Sequence, residues 1–238
     1  MKYLSLSQYL KNEYSEKYFK LSLSCSTSCP NRDGICGDKG CIFCSEKGSG
    51  DFAQSALLPI DTQIEKAKAL IKSKNDNNKY IAYFQSFTST YGDINYLRQV
   101  FFETINRDDI AILSIATRPD CINEEVLELL RELVIIKPVW IELGLQSIHE
   151  STAKYIRRGY ETPVYFDAVK KLKPLGVHII THIIIGLPYE TKEMMVETVR
   201  EVGKFTDGIK LQLLHILKDT DLAKDYENGK FKALTLEE

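Results

Sequence analysis

The segment CSTSCPNRDGICGDKGCIFCSEKGSGDFA, residues 25–53, holds five of the six cysteines of the chain. The cysteines are interleaved with Gly, Asn, Asp and Ser, which favour turns and loops. Cys41 and Cys44 form a C-x2-C pair, and Cys29 lies eleven intervening residues upstream of it. So dense a set of thiols in one loop indicates a metal site, and the first question is which metal it binds.

The composition is that of a folded protein. The chain has 238 residues, of which 44% are hydrophobic and 27% are charged, which is enough apolar surface for a sizeable core. An α/β barrel commonly uses this length as one domain. The net charge of -2 gives no general affinity for nucleic acid. An RNA partner would have to bind local basic patches, such as Arg157 and Arg158 or the lysines Lys170, Lys171 and Lys173.

No targeting or membrane segment is evident in the sequence. The first twenty residues lack the apolar region and cleavage site of a secretory signal, and no run of eighteen apolar residues predicts a membrane span. We therefore expect a cytoplasmic protein with no membrane partner. Because cytosolic thiols are kept reduced, the clustered cysteines are better explained as metal ligands than as disulfides.

Apolar strands alternate with helices along the rest of the chain. Residues 1–18 predict an N-terminal helix, residues 20–24 a first strand, residues 25–53 a loop, and residues 72–79 a polar break. Further strands are predicted at 80–85, 110–116, 138–146, 177–185 and 209–217. Helices are predicted at 62–71, 94–105, 123–133, 150–157, 163–175 and 191–205, with caps at Thr62, Asn123 and Thr191.

Strands of nearly continuous apolar residues separated by helices predict a parallel sheet that is covered on both faces. A complete eight-unit barrel has about 250 residues, whereas six units already use this chain. The sequence therefore predicts an α/β fold, an open partial TIM barrel with six βα units, (β/α)6, and an N-terminal helix. We expect it to form a single domain over residues 1–238.

Polar residues recur at alternate positions near the ends of the predicted strands. Side chains alternate between the two faces of a strand, so residues two positions apart share a face. The interior of a purely structural barrel would be apolar, and these residues therefore predict a lined cavity at the end of the strands where the cysteine loop lies. The alternating positions on this face, among them the non-polar Ala116, Gly144 and Ile180, are Tyr83, Gln85, Ser114, Ala116, Arg118, Glu142, Gly144, Gln146, His178, Ile180, His182, Lys210 and Gln212.

Several motifs resemble those of one known superfamily, the radical S-adenosylmethionine (SAM) enzymes. The segments CPNRDG (29–34), GCIFC (40–44) and GSGDFA (48–53) are similar to the YhcC/YtqA-type family, which is related to the radical SAM domain of the Elongator catalytic subunit. The likeness continues through YFQSFTST (83–90), SIATRPD (114–120), ELGLQS (142–147) and IGLP (185–188). It covers nearly the whole chain.

The resemblance implies a 4Fe-4S cluster and SAM as cofactors. A 4Fe-4S cluster usually takes four thiolates, and three protein ligands leave one iron free for SAM. By the resemblance these ligands are Cys29, Cys41 and Cys44. The superfamily's common C-x3-C-x2-C spacing, started at Cys25, would need a cysteine where Arg32 stands, so Cys25 and Cys36 are departures from the pattern.

The resemblance also implies SAM contacts. It sets Phe43 beside the adenine, Gln146 at the nucleoside and Arg158 at the carboxylate, where a bidentate guanidinium is suited to bind. Glu142 would bind ribose hydroxyls. The remaining predicted cofactor-binding residues are Gln85, His182 and Gly186, and no separate catalytic side chain is predicted because the reactivity arises at the cluster and SAM.

Structural alternatives remain open for several of these residues. Arg158 could instead lie at a solvated helix end. His182 could be a core residue whose hydrogen bonds are satisfied, and Glu142 could form a buried ion pair with Arg118 or Lys210. The cysteines themselves could form a closed tetrahedral zinc site. That site would use Cys29, Cys36, Cys41 and Cys44 in a zinc-stabilised binding module.

The resemblance implies an activity: reductive cleavage of SAM, followed by removal of a hydrogen atom from a substrate. It suggests a transferase or lyase that modifies the wobble uridine of tRNA, with a small-molecule substrate as the alternative. An electron donor such as flavodoxin or ferredoxin is implied as a partner. Members of this family generally continue beyond the position of Glu238, so a C-terminal segment is expected to be missing here.

Overall fold

Six parallel strands form one sheet whose spatial order follows the chain, with β1 at one edge and β6 at the other. The computed structural model describes residues 3–48, 50–72, 78–235 and 237. The strands are β1 (Phe19–Leu23), β2 (Tyr80–Phe84), β3 (Ile110–Thr117), β4 (Val139–Gln146), β5 (His178–Ile185) and β6 (Gly208–Leu213). The open, partial (β/α)6 barrel predicted from the sequence is confirmed.

One helix precedes β1 and at least one follows each strand, and the helices between strands cover the outer face of the sheet. They are α1 (Leu6–Tyr14), α2 (Ile60–Ile71), α3 (Ile94–Ile105), α4 (Glu124–Val134), α5 (Glu150–Tyr155), α6 (Thr162–Leu172), α7 (Lys192–Val202) and α8 (Asp221–Glu227). In the described part of the chain, no helix is long and apolar enough to cross a membrane. Parts of three predicted segments lie outside the described residues: 1–2 of the N-terminal helix, 49 of the loop and 73–77 of the polar break.

Two of the three predicted helix caps are confirmed. The side chains of Asn123 and Thr191 accept hydrogen bonds from the backbone N–H groups of the residues three positions on. The cap at Thr62 is wrong, because α2 begins two residues earlier, after Pro59. Gln63 instead fixes this end of the cysteine loop, since its amide exchanges hydrogen bonds of 2.9 and 3.0 Å with the backbone of Ser24.

Helix α1 closes the amino-terminal end of the barrel. It is shorter than the predicted 1–18, because Ser5 caps its start and Ser15, with φ of 59°, ends it. Leu10 is buried in a cluster with Ile81 of β2, Ile112 of β3 and Trp140 of β4. The Tyr9 ring lies 5.3 Å from the ring of His178, so this histidine belongs to the closed end of the barrel and not to the cavity.

A short helix that the sequence did not predict, α8, supports the cysteine loop. Its Leu222 is fully buried in a cluster with Ile42, Ile156 and Leu187. The backbone N–H of Leu222 donates to the carbonyl of Ile42 at 3.0 Å, and the N–H of Ile42 donates to Ile156 at 3.1 Å. The C-x2-C segment is thereby held between α8 and the turn after α5.

Candidate active site

A cavity of about 510 Å³ opens at the carboxyl ends of the strands, beneath the cysteine loop. Nine of the ten residues predicted to bind a metal or cofactor line it: Cys29, Cys41, Phe43, Cys44, Gln85, Glu142, Gln146, Arg158 and His182. Gly186 is the exception. With φ of +85°, its vacant Cβ position lies 3.0 Å from the Leu234 side chain, and the residue packs outside the cavity lining.

The thiols of the loop fall into two groups. Cys29, Cys41 and Cys44 all line the cavity. Cys25 is buried in the main core, and Cys36 lines a separate pocket of about 430 Å³ that does not include the other thiols. Within the described residues, no three His, Cys, Asp or Glu side chains come close enough to share a single metal ion.

Burial raises the pKa of the Cys41 thiol to about 11, an effect that the neighbouring Cys44 reinforces and the Arg118 guanidinium opposes. Cys41 also accepts a hydrogen bond of 3.4 Å from the Nδ2 of Asn31. A thiolate at this position would therefore have a hydrogen-bond donor and a cation nearby to stabilise its charge. This environment fits a metal-bound thiolate, as does the convergence of three such side chains on one cavity.

Asn31 joins the cysteine loop to the turn that follows α5. Its side chain is 2% exposed, and its Nδ2 donates to the carbonyls of Arg157 at 2.7 Å and Arg158 at 3.0 Å. Gly159 lies directly against it, because a Cβ on this glycine would be 2.2 Å from the Oδ1 of Asn31. Only a residue without a side chain allows the turn and the loop to approach so closely.

Replacing Gly159 by Ala should destabilise the protein more than replacing Gly176 by Ala. Both glycines have positive φ, of +83° and +76°, but nothing lies within 4 Å of a Cβ on Gly176. Both variants share a backbone cost of about 1–2 kcal/mol, and the clash with Asn31 should add about 1–3 kcal/mol. Urea unfolding measures the difference, and equal losses would show that the close approach is not required.

A buried carboxylate organises the floor of the cavity. Glu142, on β4, is 0% exposed and forms an ion pair with Lys20 of β1. It accepts hydrogen bonds of 2.6 Å from Ser114 and 2.6 Å from the Nε2 of His182. The Nζ of Lys210 lies 3.8 Å from it. Of the partners that the sequence suggested for Glu142, Lys210 is present and Arg118 is not, because Arg118 pairs with Asp120.

Burial by itself would raise the pKa of Glu142, but the hydrogen bond from His182 and the charges of Lys20 and Lys210 outweigh burial and hold that pKa well below its ordinary value. Burial lowers the pKa of His182, although the hydrogen bond to Glu142 partly opposes this. At neutral pH the floor therefore contains an ionised carboxylate and a neutral imidazole.

Stability should fall as the pH is lowered from 7 to 5. In the unfolded chain His182 has a pKa of about 6.5, and in the folded protein its pKa is lower. The unfolded chain therefore binds a proton more readily, and its population increases as the pH falls. Protonation of Glu142 should lower the stability further below about pH 4.5, because the pKa of Glu142 is also lower in the folded protein than in the unfolded chain. Unfolding free energies measured across this range should show a smaller slope between pH 7 and 5 for His182→Gln. An unchanged slope would contradict the assignment.

Arg158 is neither a solvated helix end nor a free guanidinium. Its side chain is 1% exposed. It donates to the carbonyls of Tyr160 at 3.0 Å, Leu145 at 3.2 Å and Ser147 at 2.7 Å, and to the Oγ1 of Thr162 at 3.0 Å. The SAM carboxylate role of Arg158 stays a prediction, and these donors would have to change partners to fulfil it.

Gln146 ends β4 at the rim of the cavity in a left-handed conformation, with φ of 67°. Its side chain lies over Gly144, where a Cβ would be 2.7 Å from the amide nitrogen. The glycine therefore leaves space for Gln146 to lie across the cavity face of the strand. The amide is thus positioned to hydrogen-bond a ligand in the cavity.

Sequence reasoning missed two residues that shape the site, Lys20 and Asn31. Lys20 was recognised only as part of the first strand, and its pairing with Glu142 depends on the curvature of the sheet. Asn31 stands inside the CPNRDG motif, two residues after Cys29. The position of this amide between two predicted cysteine ligands is the signal in the sequence. If such an amide is buried in the fold, it requires hydrogen-bond partners.

Comparison with known proteins identifies the family. The family described as the radical SAM superfamily matches residues 24–202. Protein YtqA of Bacillus subtilis is 42% identical over 235 residues, which cover 98% of this chain and 73% of the relative. A tRNA uridine(34) acetyltransferase of Methanocaldococcus infernus is 29% identical over 133 residues, which cover 53% of this chain and 24% of that protein.

A solved structure shares the fold. The Elp3 protein of Methanocaldococcus infernus, with its N-terminus deleted, superposes with a TM-score of 0.63 at 19% identity. The match covers 91% of this chain and 50% of that one, so this chain spans half the length of the solved protein. The partial barrel, the cysteine loop over its cavity and the match of most of the chain to one family lead to the same conclusion: the chain belongs to the radical SAM superfamily.

Proposed function

We propose that the chain holds a 4Fe-4S cluster through Cys29, Cys41 and Cys44 and binds SAM in the cavity below it. The observation that carries this proposal is the shared cavity, which is lined by the three thiols and by polar strand residues. A three-thiolate set suits a cluster that keeps one iron open, because such clusters usually take four protein ligands.

The arrangement of the cysteines favours this set over a closed zinc site. A tetrahedral four-cysteine site would need Cys36 beside the other three thiols, since Zn–S bonds are about 2.3 Å long. Cys36 is exposed and lines a different pocket. Cys25 is buried, and its Sγ lies 3.7 Å from the carbonyl of Ser89, so it belongs to the packing of the core.

The cofactors would supply the reactivity, through reductive cleavage of SAM and removal of a hydrogen atom from the substrate. The chain would position them. Phe43 offers a ring surface beside the loop, while Gln85 and Gln146 offer amide groups that can hydrogen-bond a nucleoside. Glu142 and His182 close the floor behind these groups.

Anaerobic reconstitution with iron and sulfide tests the proposal. We expect about four irons per chain, a brown protein, and release of 5'-deoxyadenosine from SAM on chemical reduction. One tightly bound zinc without cleavage of SAM would overturn the assignment and favour the zinc-stabilised binding module. In the cytoplasm, a small electron carrier such as flavodoxin or ferredoxin would replace the chemical reductant.

For the substrate, we propose the wobble uridine of tRNA. The partial likeness to a tRNA uridine(34) acetyltransferase supports this proposal. A small molecule that occupies the 510 Å³ cavity is the alternative. Profiles of modified nucleosides in tRNA from cells with and without the gene decide between them. Loss of one modified uridine supports the tRNA substrate, and an unchanged profile refutes it.

A further inference from the structure

Two lysines and one carboxylate meet at the floor of the cavity. Lys20 forms an ion pair with Glu142, and the Nζ of Lys210 lies 3.8 Å from the same carboxylate. Both ammonium groups also lie over the ring of Tyr83, at 4.2 Å for Lys20 and 5.1 Å for Lys210. The two cations therefore share one anion in a largely buried space.

The charges at this floor do not balance. Both oxygens of Glu142 already have close partners, with Lys20 and Ser114 on Oε1 and His182 on Oε2. His182 is neutral at neutral pH because burial lowers its pKa. Among the residues that the structure describes, two ammonium groups face one carboxylate, which leaves one positive charge without a counter-charge.

We assign that charge to Lys210, whose pKa is lowered by burial and by the charge of Lys20, while the charge of Glu142 opposes the shift. Its Nζ contacts the hydroxyl of Tyr83 at 3.3 Å, and burial together with Glu142 raises the pKa of Tyr83 well above its ordinary value, so the phenol supplies no negative charge. The Lys210 side chain is 35% exposed and lines the cavity. An ammonium has three donors, so Lys210 can offer further hydrogen bonds to a ligand.

The position of Lys210 along β6 places it below the carboxyl ends of the strands. It pairs in register with His182, while Gln212 and Ile184 lie two residues further along their strands, towards the carboxyl ends. Two residues correspond to about 6.6 Å of strand. The cysteine loop follows the carboxyl end of β1, so the backbone of Lys210 lies deeper in the barrel than the strand ends next to this loop.

We propose that the cavity floor is an oxyanion site, in which Lys210 binds a carboxylate or phosphate group of the substrate. This inference rests on the proposed function for the identity of the ligand as substrate, but the anion site itself can be tested without a cluster. A partly dehydrated, concave wall strengthens the attraction of one uncompensated charge. The anion would lie beside Tyr83.

Inorganic phosphate and acetate serve as probes of this site. Their binding to the full chain can be measured by calorimetry and by the shift in melting temperature, at constant ionic strength maintained with chloride. Lys210→Gln should weaken binding of the preferred probe by roughly tenfold or more, because it removes a charge-assisted hydrogen bond. Lys210→Arg should retain binding. Lys66→Gln makes the same charge change on the exposed face of α2 and should leave affinity unchanged.

The comparison of probes identifies the anion. Tighter binding of phosphate favours a nucleotide or phosphorylated substrate, and tighter binding of acetate favours a carboxylate. Equal affinity of Lys210→Gln and the unmodified chain, or no binding of either probe, would overturn the proposal. The iron content and SAM cleavage of the unmodified protein are measured separately, so a failed anion site and a failed radical SAM assignment give different results.

Discussion

Replacing Cys41 by Ala should reduce the iron content of the reconstituted protein from about four atoms per chain to less than about one. Cys41 lines the cavity, and the Nδ2 of Asn31 donates to it at 3.4 Å. The two remaining thiols are too few to retain a 4Fe-4S cluster in the presence of a chelator. Cleavage of SAM should fall below detection. Iron analysis and release of 5'-deoxyadenosine measure both effects.

Replacing Cys36 by Ala provides the matched control. Cys36 belongs to the same loop but is exposed and lines the outer pocket. This variant should retain full iron content and an unchanged absorption spectrum, with or without SAM. A loss of iron equal to that of Cys41→Ala would assign Cys36 to the cluster and contradict the three-ligand set.

Replacing Glu142 by Ala should lower the free energy of unfolding by about 3–5 kcal/mol at neutral pH. The carboxylate is fully buried, and its removal leaves Lys20, Ser114 and His182 without their acceptor. Two partly buried ammonium groups would then repel one another without an intervening anion. Urea unfolding, followed by circular dichroism, measures the loss.

Glu103→Ala is the control for that measurement. Glu103 is exposed on α3, and its replacement should change stability by less than about 0.5 kcal/mol. If Glu142→Ala were as stable as this control, the lysines and the imidazole would not depend on the carboxylate. The contacts of Glu142 at the cavity floor would then make no measurable contribution to the free energy of unfolding.

The sequence predicted the strands and the cavity well, for reasons visible in particular residues. Apolar runs such as those of β2 and β5 are too continuous for a half-exposed sheet, and they indicated burial on both faces. Side-chain alternation then grouped Gln85, Glu142, Gln146 and His182 on one face. Because parallel strands end at the same edge, these residues line the same cavity.

Other features depend on contacts that alternation cannot reveal. Lys20 meets Glu142 across 122 positions of sequence, and the contact exists only because the sheet curves. The resemblance implied a SAM carboxylate contact for Arg158, but the chain folds a turn around this side chain, and its donors bond to three carbonyls and the Thr162 hydroxyl. Helix α8 has only seven residues, too few for a periodic pattern to distinguish it from a loop.

The two lysines at the cavity floor belong to the two edges of the sheet. Lys20 lies on β1 and Lys210 on β6, and within the described residues β1 pairs only with β2 and β6 only with β5. Backbone hydrogen bonds therefore do not span the gap between the edges, but both lysines meet at Glu142 and Tyr83 across the interior. These side-chain contacts link two edges that the backbone ladder leaves apart, and an anion bound by Lys210 would compete with Glu142 for one half of that link.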